Sequence, residues 1–103
     1  MVHRLVVSYG TPEDPAAFDS YYRETHTPLA LKQPGLVRLT FGHGQAMDPA
    51  QPVPYLVAEL DFDSEAAMGQ ALASPEGRAA GADLANFATG GVSLVHFEVQ
   101  TAS

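Results

Sequence analysis

Two side chains one helical turn apart, Tyr22 and His26 in the stretch "YYRETHTPLA" (Tyr21 to Ala30), are the pair in this sequence best suited to chemistry. An imidazole titrates near neutral pH and acts as proton donor or acceptor with little tuning. A phenol four residues earlier on a helix is its neighbour, placed to bind a substrate oxygen or to orient the ring by a hydrogen bond. The same residues admit a plainer role. His26 stands two positions before Pro28, which has no N–H to donate to the carbonyl of Glu24. His26 would then fill a buried stripe and bond to a carbonyl that the proline leaves free. Spacing alone leaves both roles open.

Asp83 falls among Ala80, Leu84 and Phe87 on an otherwise apolar helical face. It could hold a histidine tautomer from a cleft wall or sit solvated at the border of the stripe. Tyr9, Phe41, Tyr55, Phe62 and Phe87 read as core or as the walls of a pocket for a flat or apolar ligand. His3, His26, His43 and His96 lie on four different elements with no His-x-x-x-His or carboxylate-paired spacing, so no metal site is expected. His43 and His96 read instead as structural or rim residues. No serine sits in a nucleophile elbow, and "GHG" and "ATGG" lack the strand-turn-helix context of a phosphate loop. No cofactor is expected.

The bulk properties narrow the partners. Twelve acidic residues stand against Arg4, Arg23, Lys32, Arg38 and Arg78, for a net charge of -7, and the five cations form no stripe, which argues against nucleic acid. Cysteine is absent, and no apolar run has signal-peptide or membrane-spanning length, so the expected location is the cytoplasm with no membrane partner. A chain of 103 residues supports one core, and residues 1–103 are expected to form one domain. With 46% hydrophobic and only 17% charged residues, part of its surface should be covered by a second copy.

The elements that must position these groups follow from periodicity. Val2–Tyr9 alternates as a strand, with Leu5, Val7 and Tyr9 on one face and Val6 on the other. Asp14 is a cap for a helix starting at Pro15, whose inward stripe reads Phe18, Tyr22, His26 and Leu29, with Arg23 and Glu24 outward. "QPG" at 33–35 ends it. A second strand spans "LVRLTFGHG" with Val37, Leu39, Phe41 and His43 on one face, and the proline-rich 45–54 segment is a loop. Tyr55–Phe62 is a third strand, and a helix from Ser64 is interrupted at Ser74-Pro75. A further helical segment follows, with Ala80, Leu84 and Phe87 inward. Gly90-Gly91 stops it before a last strand, Val92–Val99. The order β-α-β-β-α-β predicts an α+β, ferredoxin-like sandwich: a four-stranded antiparallel sheet with helices on one face. The strands are apolar on both sides, so the uncovered face is expected to join two copies sheet to sheet.

Over nearly the whole chain the sequence resembles the EthD family of the dimeric α/β-barrel superfamily. The family's helical pattern of paired aromatics, acid, histidine, proline and leucine is met by Tyr21, Tyr22, Glu24, His26, Pro28 and Leu29, and its terminal pattern by Asn86, Phe87, Gly90 and Gly91. The resemblance implies a homodimer of ferredoxin-like protomers, each with a cleft between its helices and its own sheet into which His26 projects. It implies a small-molecule-binding protein, with cofactor-independent isomerisation, cyclisation or decarboxylation of a small apolar organic substrate as the leading chemistry. His26 and Tyr22 would be the catalytic pair. The family is named after a protein linked to ethyl tert-butyl ether breakdown, so a non-catalytic accessory binder for an oxidative degradation pathway is one alternative. A haem-binding or haem-degrading relative is another.

Overall fold

In the computed structural model, which describes residues 1–103, four strands form one antiparallel sheet: β1 (His3–Tyr9), β2 (Arg38–His43), β3 (Leu56–Phe62) and β4 (Val92–Glu98). Their order is β2-β3-β1-β4, so the two central strands come from opposite halves of the chain and the edges are β2 and β4. Register pairs Leu5 with Leu60 and His96, and Leu39 with Leu60. One face therefore carries Leu5, Val7, Tyr9, Leu56, Ala58, Leu60 and Phe62, all buried. The helices pack on this face, and the α+β ferredoxin-like architecture is the one expected.

The first helical stretch has three parts: α1 (Pro15–Tyr21), a π-helical turn (Tyr22–His26) and α2 (Thr27–Ala30). It starts as the sequence predicts, with Pro15 at the first position and the Asp14 carboxylate accepting from Ala17 N at 3.1 Å. The inward stripe needs one correction. Phe18, Tyr22 and His26 are buried, but the next buried residue is Ala30, while Leu29 is half-buried. The π turn, in which Thr27 N–H donates to Tyr22 C=O, holds an extra residue and keeps positions four apart in line. The N–H that Pro28 lacks falls on the exposed side, at Arg23 to Thr25.

The second helical stretch comprises α3 (Glu65–Ala73) and α4 (Pro75–Phe87), broken where Ser74 caps the second and Pro75 opens it. Gly77 is required at their junction, because a Cβ there would lie 2.0 Å from the Ala71 carbonyl oxygen. Gly91, at φ +90°, makes the turn into β4. The strands are shorter than their hydrophobic runs suggest. Leu36 and Val37 precede β2, Tyr55 precedes β3 and Val99 follows β4. The 45–54 loop is exposed almost throughout.

The uncovered face is more mixed than alternation suggested. Val6, Val57, Val95 and Phe97 lie on it, the last two 59% and 44% exposed, but so do Arg4, Glu59 and Asp61. Arg4 grips Asp61 through two hydrogen bonds, at 2.7 and 3.1 Å, and this pairing holds the Asp61 carboxyl below the usual carboxylate range. No helix is long and apolar enough to cross a membrane.

Candidate active site

Between the sheet and the helices runs an apolar cleft of about 70 Å³. Its floor is Leu5, Val7, Tyr9, Ala58 and Leu60, and Tyr22, His26, Ala30 and Gln33 form one wall. The small residues Gly77, Ala80 and Gly81 of α4 form the other and create the opening by having little to fill it with. At Gly81 a Cβ would meet nothing within 4 Å.

His26, the imidazole of this wall, is buried. Its Nδ1 lies 3.0 Å from Asp83 Oδ2, and both side chains are less than a tenth exposed. Tyr21 O–H donates to Asp83 Oδ1 at 2.6 Å, and Asn86 Nδ2 donates to the same oxygen at 2.9 Å. Burial pushes the Asp83 carboxyl up, but the bonds from Tyr21, Asn86 and His26 outweigh it, so the carboxyl lies below its ordinary range and is ionised at neutral pH. An ionised carboxylate only accepts, so the proton of a neutral His26 sits on Nδ1 and Nε2 keeps its lone pair. Asp83 lies outside the cleft lining and His26 within it, which leaves Nε2 as the nitrogen on the cleft side. Phe87 packs behind the imidazole, with ring centroids 4.7 Å apart.

Tyr22 and Tyr9 add two phenols, both 2% exposed. Desolvation pushes the Tyr22 hydroxyl up to about 12 and raises Tyr9 as well, so both stay protonated and offer O–H donors. Gln33 is buried, and its Nε2 donates to Ala30 C=O at 3.0 Å while Oε1 has no partner. The cleft is thus apolar with one imidazole and two neutral phenols at its lining.

Residues 11–91 match the EthD domain. The chain belongs to the EthD family. It is 43% identical over 100 residues, covering 97% of both chains, to an uncharacterized 11.0 kDa protein of the thcB–thcC intergenic region of Rhodococcus erythropolis. Among solved structures it is similar to an ethyl tert-butyl ether D (EthD) family protein from Bacillus halodurans, at 34% identity and TM-score 0.87, over 97% of this chain and 100% of that one. The fold recurs at 20% identity and TM-score 0.67 in SnoaB, a cofactor-independent oxygenase from Streptomyces nogalater (98% and 95% covered). It recurs again at 18% and 0.66 in a dimeric protein of unknown function from Bacteroides fragilis (95% and 96% covered).

The EthD motif residues now acquire contacts. Tyr21 and Asn86, from opposite ends of the chain, converge on Asp83, which in turn holds His26. The expected hydrogen bond between Tyr22 and His26 is not made. Their rings lie 5.6 Å apart, and Asp83, which spacing offered only as one alternative, is the partner. Of the expected pocket residues only Tyr9 lines the cleft. Phe87 backs His26, whereas Phe41 sits on an edge strand, 40% exposed, with its edge against Tyr22. Tyr55 belongs to another cluster, donating to Asp19 Oδ1 at 2.9 Å beside His43 Nε2, which is 3.0 Å from the same oxygen. Gln33 was missed because it reads as a helix-ending polar residue. Its burial is visible only once α2 packs against α4.

Proposed function

We propose that this EthD-family protein binds a small, slender, mostly apolar organic molecule and catalyses cofactor-independent proton transfer on it, of the isomerase, cyclase or decarboxylase type. The observation that carries this reading is the buried Asp83–His26 pair with the second imidazole nitrogen on an apolar cleft. A neutral Nε2 takes a proton from an acidic C–H, and the imidazolium so formed is stabilised by the Asp83 carboxylate. Tyr22, kept protonated by burial, donates to the oxygen on which negative charge develops. The imidazolium exchanges its proton with solvent and delivers a proton to the same carbon or to another, and delivery at another carbon makes the net change an isomerisation. Ligand pockets usually span about 300–1,000 Å³. A cleft of about 70 Å³ suits a slender molecule.

Two copies joined through the uncovered sheet face fit the exposed Val95 and Phe97, and a protein of the same fold that is dimeric supports pairing as such. Light scattering at micromolar concentration checks it. A monomer, or a dimer joined through its helices, would overturn the arrangement. The cytoplasm is the proposed location.

Slender ketones with an acidic α-C–H, incubated in D2O, provide the test of catalysis. The wild type should wash deuterium into the α-carbon of at least one ketone, and His26→Gln should lose about a hundredfold or more of that rate. Ligand-induced NMR shifts at Tyr9 and Leu60 should persist in the variant. Tyr22→Phe should lose less, because one hydrogen bond goes and the packing stays. Equal wash-in by wild type and His26→Gln would leave the cleft as a binding site only.

A further inference from the structure

We infer that His3, His96 and Glu65 form a binding site for a borderline divalent transition-metal ion such as Zn2+ or Co2+, away from the His26 cleft. The β1–β4 register pairs His3 with Glu98 and Leu5 with His96, so the two histidines are diagonal neighbours on one face of the sheet. Their rings meet across that diagonal, with His3 Nε2 and His96 Nδ1 2.8 Å apart. Glu65 opens α3, and its carboxylate lies within 4.8 Å of both histidines' ligand atoms.

Two neutral imidazoles at this separation share a single proton, and a metal ion that displaces the proton satisfies both nitrogens at once. Metal–nitrogen bonds run about 2.0–2.1 Å, so neighbouring nitrogens of an octahedral ion stand about 2.9 Å apart and those of a tetrahedral ion about 3.3 Å. The observed spacing therefore needs little movement. His3 is buried and fixed, whereas His96 and Glu65 are exposed and can turn to complete the set. Two imidazoles and a carboxylate suit Zn2+ and Co2+ better than Mg2+ or Ca2+, which prefer all-oxygen sets.

A second observation points the same way. His3 and Glu65 border a depression of about 220 Å³ whose other polar walls include Asp63 and Glu98. In this chain of net charge -7, that lining concentrates cations at the mouth of the site. The expectation that no metal site exists came from spacing along the chain, which cannot register a diagonal across two strands.

Calorimetric titration of tag-free protein with Zn2+, and the visible absorption of added Co2+, decide the matter. One ion should bind per chain. His96→Gln and Glu65→Gln, both at exposed positions, should weaken binding by more than about tenfold, the loss known for groups that merely orient a metal ligand. His43→Gln, at the exposed His43–Asp19 pair, should bind as the wild type does. Circular dichroism without metal confirms that each variant is folded. No saturable binding, unchanged binding in His96→Gln, or an equal loss in His43→Gln would each overturn the site.

Discussion

The molecule contains two histidine–aspartate–tyrosine clusters with similar hydrogen-bond distances. In one, His26 Nδ1 lies 3.0 Å from Asp83, which also accepts from Tyr21 O–H at 2.6 Å. In the other, His43 Nε2 lies 3.0 Å from Asp19, which also accepts from Tyr55 O–H at 2.9 Å. What separates them is solvent. The side chains of the first pair are 9% and 7% exposed, those of the second 39% and 36%. Asp83 also has a third donor, Asn86, and its histidine opens on an apolar cleft. Distances alone would rank the clusters equal; burial distinguishes a constrained, desolvated imidazole from a surface pair screened by water.

The largest break in that comparison should come from removing the two carboxylates. Asp83→Ala strands the Tyr21 hydroxyl, the Asn86 amide and a buried imidazole, which should cost about 2–4 kcal/mol of folding stability. Asp19→Ala should cost well under half as much. Urea melts read both. Asp83→Asn separates structure from chemistry: the amide still accepts from Tyr21 but turns a donor toward His26, moving the imidazole proton to Nε2 and removing the base. Its fold should survive far better than its turnover.

Acid should erase the contrast. Folding lowers the Asp83 carboxyl, so its ionised form stabilises the protein fully above the unfolded value of about 3.9. That contribution fades as pH falls through the lower folded value. The Asp19 carboxyl is also lowered, chiefly by the His43 bond, but in a solvated setting that salt screens. Thermal melts from pH 6 down to 2 should show the wild type losing its advantage over Asp83→Asn below about pH 4. The loss should be nearly independent of salt. An advantage that collapses in 1 M NaCl would mean that the buried pair behaves like the exposed one.

Much of this was legible in the sequence, for reasons that also explain the misses. Strand alternation and the Asp14, Ser64 and Ser74 caps are local signals, so element order and helix starts read correctly. The Phe18–Tyr22–His26 stripe read correctly as well, but its continuation to Leu29 did not, because a π turn changes the period without any residue that announces it. Spacing could not choose a partner for His26, since Asp83 lies 57 residues away and meets it only through helix packing. The pairing of His3 with His96 likewise needed the strand register. Phe41 and Tyr55 looked like pocket walls because aromatic residues on strands usually are; here an edge strand and a cluster at the far side of α1 hold them instead.

A cavity-filling change sharpens the comparison from the ligand's side. Gly81 borders the cleft in mid-helix, where a Cβ meets nothing within 4 Å, so Gly81→Val occupies ligand space without a backbone clash. Helix propensity alone should raise stability by a few tenths of a kcal/mol. Ligand affinity should fall at least about tenfold, equivalent to about 1.4 kcal/mol. The Asp19 cluster should show no chemical-shift response to the same ligand in either protein. Unchanged affinity in Gly81→Val would move the binding site out of this cleft.

The smallest effect belongs to His43→Gln, and its smallness is the point. The imidazole is 39% exposed and packs edge-on against Tyr55, while Asp19 keeps the Tyr55 hydroxyl bond without it. Glutamine can still donate toward Asp19 across the same gap, and an exposed pair contributes only about 0.2–1 kcal/mol to begin with. Stability should therefore change by no more than about 0.5 kcal/mol, and any catalytic proton transfer should proceed at the wild-type rate. A double-mutant cycle with Asp19→Asn should give a coupling near zero in 0.5 M salt. The matching cycle of His26→Gln with Asp83→Asn should keep a coupling of about 1 kcal/mol or more, because burial leaves that pair much less screened by water and ions. A large coupling at His43 and none at His26 would reverse the assignment and make the exposed cluster the one to pursue.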